Sequence, residues 1–136
     1  MYYKELAEEF FNLMVKSHKR PIVPPDPKDF SKGEIGILIF LTFQKDGVTS
    51  GHLSEELLVS TGRIASALKT LEKKQLIERR MDGKDKRRVN VYITEAGRKF
   101  TLEKHEHAIN GMCTCLQKLD KEEAKLFVDL AKKLFS

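Results

Sequence analysis

The sequence has only two cysteines, no apolar run near its start and no apolar stretch long enough to cross a bilayer. Charged residues between positions 4 and 9 interrupt the pattern that a secretory signal peptide requires. The longest apolar run, over residues 35–43, is about half of the ~20 residues that a transmembrane helix needs. Few cysteines and no export signal are typical of a reducing compartment. We therefore expect a cytoplasmic protein without a membrane partner.

Patterns of enzymatic or metal chemistry are also missing. The sequence contains no glycine-rich phosphate loop, nucleophile elbow or paired-acid arrangement. Cys113 and Cys115, like His105 and His107, are two residues apart in a predicted helix, where their side chains diverge by roughly 200°. Buried thiols and solvated histidines are the favoured interpretation, and a redox-active thiol is the alternative. We predict no enzyme, no metal and no cofactor.

Residues 60–98 hold the most informative pattern, which begins with an amphipathic helix over 61–74. Ile64, Leu68 and Leu71 recur at helical spacing and form one apolar stripe. The opposite face carries small, polar and basic side chains at Gly62, Ser66, Lys69 and Lys73, flanked by Arg63 and Thr70. A short helix is predicted just before this one, and two helices joined so tightly indicate a helix-turn-helix.

A β-hairpin with a basic tip is predicted directly after this helix. Two runs rich in β-branched residues, 76–80 and 89–93, flank a charged segment, and Thr94 then has the character of a helix N-cap. Residues 48–49 are expected to form a short strand that pairs with the hairpin. This order predicts a mainly α fold, a winged helix-turn-helix over about 31–98 with a small β-hairpin wing.

Positive charge is concentrated in the same segment. Residues 60–98 contain 11 of the 25 Lys and Arg residues but only 5 of the 20 Asp and Glu residues, a net charge of +6. The rest of the chain is close to neutral, so the overall net charge of +5 resides in the predicted winged helix. A concentrated positive field on a helix and a hairpin is expected of a surface that binds a phosphate backbone.

Broad apolar faces are predicted at both ends of the chain, over helices at about 2–19 and 95–135. A chain of this size buries two such faces most economically in an intermolecular bundle, so we predict a helical dimerisation arm and a two-fold dimer. All four prolines lie at 21–27 and predict a linker, after which Ser31 and Glu34 form a capping box that opens a buried helix. The predicted interface residues are Tyr3, Leu6, Phe10, Met14, Phe127, Val128, Leu134 and Phe135.

With these elements in order, the sequence resembles the multiple-antibiotic-resistance regulator (MarR) family of winged-helix transcription factors over essentially its whole length. LEKKQLIERR at 71–80 resembles the end of the family's recognition helix and its first wing strand. DGKDKRR at 82–88 resembles the D-x-x-D-x-R wing, and ITEAGR at 93–98 resembles the exit from the wing. Three matches in order at the family's spacing make the resemblance specific.

The resemblance implies a homodimeric regulator, in our interpretation a repressor, that binds a pseudo-palindromic operator in double-stranded DNA. A winged helix used for protein contact instead of DNA is the alternative. Family effectors are often small aromatic acids, bound in a cleft between the dimer arm and the winged helix; the ligand-binding residues of this chain are left unassigned. The predicted DNA-binding residues are Thr61, Gly62, Arg63, Ser66, Lys69, Thr70, Lys73, Lys84, Asp85, Lys86, Arg87 and Arg88.

Two positions depart from the family pattern. Gln75 stands where the family usually has glycine, and because a non-glycine residue is disfavoured at positive φ, the turn after the recognition helix is expected to differ locally. Lys86 stands where arginine is frequent, which keeps the charge but loses bidentate geometry. Arg87 matches the wing arginine and Asp85 the acid that orients it. Arg87 is therefore the residue we expect to enter a minor groove, with neighbouring cations on phosphates.

Overall fold

Helices make up most of the computed structural model, which describes residues 2–16, 32–85 and 87–135. The elements in chain order are α1 (Tyr2–Lys16), α2 (Lys32–Phe43), β1 (Val48–Thr49), α3 (Ser50–Leu57), α4 (Thr61–Lys73), β2 (Ile77–Met81), β3 (Val89–Ile93), α5 (Glu95–Leu116) and α6 (Lys121–Phe135). This arrangement confirms the predicted fold class. The predicted proline linker and the Ser31 cap lie outside the described residues. Within the described ranges, no helix is long and apolar enough to cross a membrane.

The chain divides into two compact units. The helical unit contains α1, the part of α5 from Glu103 onward, and α6. The winged unit contains the described residues up to Leu102, from α2 to the first turns of α5. The predicted boundary of the winged helix, near residue 98, is therefore close to the boundary between the units.

The winged unit is built around the predicted apolar stripe of α4. Ile64 and Leu71 are fully buried, and Leu68 is nearly so. They join α2, α3 and the inner face of the sheet in one hydrophobic cluster. The sheet has the antiparallel order β1-β3-β2, with Val48 opposite Val91. The short strand predicted at 48–49 is confirmed, and through β3 it joins the helix-turn-helix to the wing.

The turn after α4 corrects one expectation, because Gln75 takes the left-handed conformation (φ 62°) that the family's glycine would take. The N–H of Gln75 donates to the carbonyl of Glu72 at 2.9 Å, and the N–H of Leu76 donates to the carbonyl of Leu71 at 3.0 Å. These two bonds form a Schellman motif. The turn therefore has the same backbone conformation as with glycine, and Gln75 itself carries the steric strain of a positive φ.

Gln75→Gly should consequently stabilise the protein. A left-handed residue with a Cβ costs roughly 1–2 kcal/mol, part of which is offset by the greater unfolded-state entropy of glycine, so we expect a gain of about 0.5–1 kcal/mol. Denaturant unfolding of both proteins measures the difference. Gln75→Ala, which keeps a Cβ at the same φ, is the control and should show no such gain.

The junction between the wing and α5 leaves no room for a side chain at Gly97. Thr94 caps α5, its Oγ1 accepting from the N–H of Gly97 at 2.9 Å and donating to the carbonyl of Gln75 at 2.8 Å. The N–H of Thr94 donates to the carbonyl of Leu76 at 3.0 Å. A Cβ on Gly97 would lie 2.0 Å from that carbonyl oxygen. The predicted N-cap is confirmed, and the glycine of the ITEAGR segment is explained by close backbone approach.

The helical unit has its own core, formed by Leu6, Ala7, Ile109, Leu116, Ala124 and Val128. Between α5 and α6, the carboxylate of Asp120 accepts from the N–H of Glu123 at 2.8 Å, and that of Glu123 accepts from the N–H of Asp120 at 3.0 Å. These two bonds form a reciprocal capping box at the start of α6. The hydroxyls of Tyr2 and Tyr3 donate to carbonyls of the same turn, at 2.9 and 2.8 Å.

Candidate nucleic-acid interface

Helix α4 presents an exposed face of small, polar and basic side chains. The helix begins at Thr61, and Ser60 caps it by accepting from the N–H of Arg63 at 3.3 Å. Thr70 is half-buried and donates to the carbonyl of Ser66 at 3.2 Å. The remaining predicted contact residues of this helix are all exposed: Thr61, Gly62, Arg63, Ser66, Lys69 and Lys73.

The wing tip is closed by a repeated local hydrogen bond. A carboxylate oxygen of Asp82 accepts from the N–H of Lys84 at 2.9 Å, and one of Asp85 accepts from the N–H of Arg87 at 3.0 Å. The N–H of Asp82 also donates to the carbonyl of Arg88 at 2.8 Å. Such aspartate turns fix the backbone without a hydrophobic core. The spacing of the two aspartates thus has a structural reason. Asp82, which is absent from the predicted DNA-binding residues, helps to hold the backbone of the tip.

Arg87 has an almost fully exposed side chain, at 97% of its full accessibility. Its Nε lies 3.9 Å from the carboxylate of Asp85, so the tighter contact between the two residues runs through the backbone N–H. Lys84 and Arg88 are exposed as well, and Arg88 donates to the side chain of Asn90 at 3.3 Å. The predicted contact at Lys86 lies outside the described residues.

Several cations of the basic segment are held by acids of the same unit. Arg79 lies 3.7 Å from Glu72 and Arg98 lies 3.8 Å from Asp46. Arg80 is hydrogen-bonded to Glu78, which raises the pKa of its guanidinium above the usual value. Glu72 and Glu78 are already counted in the segment's net charge of +6, whereas Asp46 lies outside the segment and offsets one further cation. Over the part of the chain that the structure describes, Arg63, Lys69, Lys73 and Lys84 form no ion pair.

An open groove of about 670 Å³ lies between the wing and the base of the helix-turn-helix. Its lining combines the basic residues Arg79, Arg87 and Arg88 with the apolar residues Leu68 and Val89. The other lining residues are Thr49, Ser50, Asp85 and Val91. Arg79 is a groove residue that sequence reasoning missed, because its direction depends on the register of β2.

The predicted interface residues of the helical unit fall into two groups. Leu6 and Val128 are buried in the core of the unit itself, and Tyr3, Phe10, Met14 and Phe135 are half-buried. Phe127 stacks on Phe10 at 5.6 Å between ring centroids yet stays 42% exposed, and Leu134 is 71% exposed. Two further leucines missed by the sequence analysis, Leu126 and Leu130, are also exposed. At 100° per residue, Leu126, Phe127, Leu130 and Leu134 cover about 100° of the surface of α6, and we call them the α6 row.

The cysteines and one histidine differ from expectation. Cys115 is exposed and Cys113 half-buried, so neither is the fully buried thiol that was predicted, and both are free. His107 is exposed as expected, but His105 is half-buried with its ring edge-on to Phe11 at 4.2 Å. Among the described residues, no group of three His, Cys, Asp or Glu side chains could hold a metal ion.

Comparisons with known proteins agree with this architecture. The model of the MarR family matches residues 28–88. An uncharacterized HTH-type transcriptional regulator of Bacillus subtilis, YwaE, is 30% identical over 76 residues, which cover 56% of this chain. The match spans only 44% of the length of YwaE.

Two solved structures extend the likeness beyond the matched segment. A mutant form of MepR from S. aureus is 27% identical, with a TM-score of 0.69 over 78% of this chain and 79% of its own. FabT from Streptococcus pneumoniae, in complex with DNA, shares the fold with a TM-score of 0.66 over 96% of this chain and 91% of its own, at 21% identity. With its helix-turn-helix, its wing and these matches, the chain is similar to the MarR family of transcriptional regulators, most directly over residues 28–88.

Proposed function

We propose that the winged unit binds duplex DNA, with α4 in the major groove and the wing tip in the adjacent minor groove. The observation that carries the proposal is that α4 and the wing tip expose cations, among them Arg63, Lys69 and Lys84, that form no ion pair with any acid in the described part of the unit. Folding gains nothing from holding such charges in one unit, whereas a phosphate backbone does attract them. The DNA complex of FabT supports the same use of this fold.

The salt dependence of binding to duplex DNA tests this proposal. If Lys69, Lys73, Lys84 and Arg88 each neutralise a phosphate, log K should fall against log salt with a slope of roughly −3 to −4 per subunit. A winged helix that serves only as a protein-contact module would show weak binding that the choice of duplex does not alter. Selection of tight binders from a random DNA pool would then supply the operator.

Arg63→Ala tests base reading by α4. Arg63 lies in the first turn of α4, the part of a recognition helix that reaches base edges. If its guanidinium forks onto a guanine, the variant should lose ~1–3 kcal/mol of binding free energy and relax preference at one base pair per half-site. Lys73→Ala, at the other end of the helix, is the control and should weaken all sequences alike. Equal losses for Arg63→Ala on operator and random DNA would make Arg63 a phosphate contact.

Arg87→Ala tests the wing. Arg87 is almost fully exposed, and a narrow A·T-rich minor groove attracts an inserted arginine. The variant should weaken operator binding about tenfold, by loss of a contact worth ~1–3 kcal/mol, without changing the melting temperature. Lys84→Ala is the matched control, which should weaken all DNA alike and reduce the salt slope by about one. Unchanged operator affinity and A·T preference in Arg87→Ala would overturn this assignment.

We further propose that the protein acts as a homodimeric repressor on a pseudo-palindromic operator. The exposed α6 row supports dimerisation, since leucines and a phenylalanine gathered on one helix face favour association with a second apolar face. A role in transcription is supported by the structurally similar protein MepR, which is a transcription regulator of a multidrug efflux pump. Placing the selected operator across a promoter and measuring transcription in vitro distinguishes repression from activation.

A small aromatic acid is the effector class that we propose for release from DNA. The groove beside the wing offers arginines for a carboxylate and Leu68 and Val89 for a ring. Because Arg87 and Arg88 line the same groove, an occupant would compete with DNA for them. Titration with benzoate should raise the concentration of protein needed for half-maximal operator binding, and Arg79→Met should abolish that shift. The same titration with cyclohexanecarboxylate, which has an aliphatic ring, tests whether the aromatic ring is needed for this shift.

A further inference from the structure

The outer face of the hairpin carries a cluster of interacting side chains around Tyr92. Glu78 stands directly opposite Tyr92 in the β2–β3 register, and Arg80 follows two residues later on the same face of β2. The guanidinium carbon of Arg80 lies 4.6 Å from the centroid of the Tyr92 ring. The Nε of Arg80 donates to the carboxylate of Glu78 at 2.9 Å. The cation is thus engaged by a ring and a carboxylate at once.

The same tyrosine ring packs against the turn that precedes β1. A Cβ on Gly47 would lie 2.7 Å from Cε1 of Tyr92, so only glycine lets the ring come so close. The N–H of Gly47 donates to the carbonyl of Val91 at 3.0 Å. The cluster of Gly47, Glu78, Arg80 and Tyr92, which we call the outer clamp, therefore joins the turn before β1 to both strands of the wing.

The turn that receives the clamp is itself firmly attached. Asp46, the neighbour of Gly47, accepts from the N–H of Ile93 at 2.9 Å and lies 3.8 Å from Arg98 of α5. Strand β1 leads directly into α3, the first helix of the helix-turn-helix. The clamp thus connects the wing to the frame that carries the recognition helix.

Apolar packing does not hold the wing beyond this point. On the inner face of the hairpin, Val91 is buried, but Val89 and Met81 further out are 42% and 62% exposed. The hydrophobic cluster therefore ends at Val91, near the base of the wing. Polar side-chain contacts, that of Arg79 with Glu72 on the inner face and those around Tyr92 on the outer face, are left to fix the direction of the hairpin.

Arg79 and Arg80 are neighbours in sequence but have different surroundings. Arg79 points to the inner face and lines the groove with Arg87 and Arg88, whereas Arg80 points to the outer face and is engaged by Glu78 and Tyr92. We propose that the outer clamp is a positioning device: Glu78, Arg80 and Tyr92 fix the direction of the wing relative to α4 and thereby set the spacing between the minor-groove and major-groove contacts. This inference rests on the proposed DNA-binding function.

Hydrogen exchange in the DNA-free protein tests the clamp by itself. Tyr92→Thr removes the ring and Glu78→Thr removes the carboxylate, and threonine keeps β propensity at both sites. Because an exposed cation–π contact changes a population only modestly, amides of β2 and β3 should exchange about two- to fivefold faster in both variants. Tyr92→Phe keeps the ring and should exchange like the wild type. Unchanged exchange in Tyr92→Thr and Glu78→Thr would overturn the clamp.

Binding to the selected operator and to two altered operators tests positioning. One altered operator carries G·C in place of the flanking A·T pairs, and the other carries changes in the major-groove half-sites. The two threonine variants should lose about two- to fivefold in discrimination at the flanks and keep discrimination at the half-sites. Glu78→Thr removes a negative charge, so a purely electrostatic role predicts tighter binding with flank discrimination intact; that result, or equal losses at both positions, contradicts positioning. A wild-type protein that selects no operator would refute the proposed function, while the exchange experiment still decides the clamp.

Discussion

Gly97→Ala should lower the free energy of unfolding of the winged unit by about 3 kcal/mol or more, since overpacking against backbone cannot be relieved by a rotamer change. The added Cβ would lie 2.0 Å from the carbonyl oxygen of Leu76 and 2.8 Å from Cγ1 of Ile93. That carbonyl also accepts the N–H of Thr94, so the clash would break the link between the recognition-helix turn and the start of α5. Thermal unfolding followed by circular dichroism measures the effect.

Gly111→Ala is the matched control, the same substitution in the same helix. A Cβ at Gly111 meets nothing within 4 Å, so alanine should bring only its better helix propensity, a gain of up to about 1 kcal/mol. The two variants are therefore expected to shift stability in opposite directions. Similar effects at both positions would contradict the close approach at Gly97.

Leu130→Glu with Leu134→Glu should convert the proposed dimer to monomers and reduce operator affinity by roughly 10²–10⁴, the usual contribution of a second linked half-site. Both leucines are exposed members of the α6 row, while Ala124 and Val128 keep the core of the helical unit. The change should thus separate association from folding, which removal of the whole helix would not. Sedimentation velocity measures the oligomeric state.

Lys125→Glu is the control for this double variant, because it changes the net charge by the same amount on another face of α6. Lys125 lies 3.6 Å from Asp129, an exposed pair worth at most a few tenths of a kcal/mol. The control should remain dimeric and bind the operator normally, apart from a small electrostatic penalty. A double leucine variant that sediments as a dimer would place the interface elsewhere.

Hydrophobic spacing was sufficient to predict most of the winged unit. Helix α4 has only one apolar face to bury, formed by Ile64, Leu68 and Leu71. In each strand of the hairpin, only one set of alternating side chains can face the core. Local capping chemistry was equally predictable, as Thr94 and the Asp120–Glu123 box demonstrate. These features depend on residues close together in sequence.

Local sequence could not predict which of two possible faces of a helix or strand becomes buried, or which backbone conformation a turn adopts. Helix α6 has two apolar stripes, and the one with the smaller residues, Ala124 and Val128, is buried while Leu130 and Leu134 stay exposed. The roles of Arg79 and Arg80 required the strand register. At Gln75, local propensity argued against positive φ, but the surrounding hydrogen bonds of the turn prevailed. Tertiary context decided each of these cases.

The alternation of Arg79 and Arg80 limits how the wing can change in length. One residue inserted before Arg79 in β2 would put each following side chain on the opposite face, so that Arg79 would leave the groove and take the outer position that Arg80 now holds beside Tyr92. The tip is different, because its aspartate turns each span only two residues and depend on no neighbour in the sheet. A Cβ at Gly83 would meet nothing within 4 Å. Residues added around Gly83 would therefore leave the side chains of β2 and β3 on their present faces of the hairpin. The reach of the wing can therefore vary at its tip, while the strands below must keep their length.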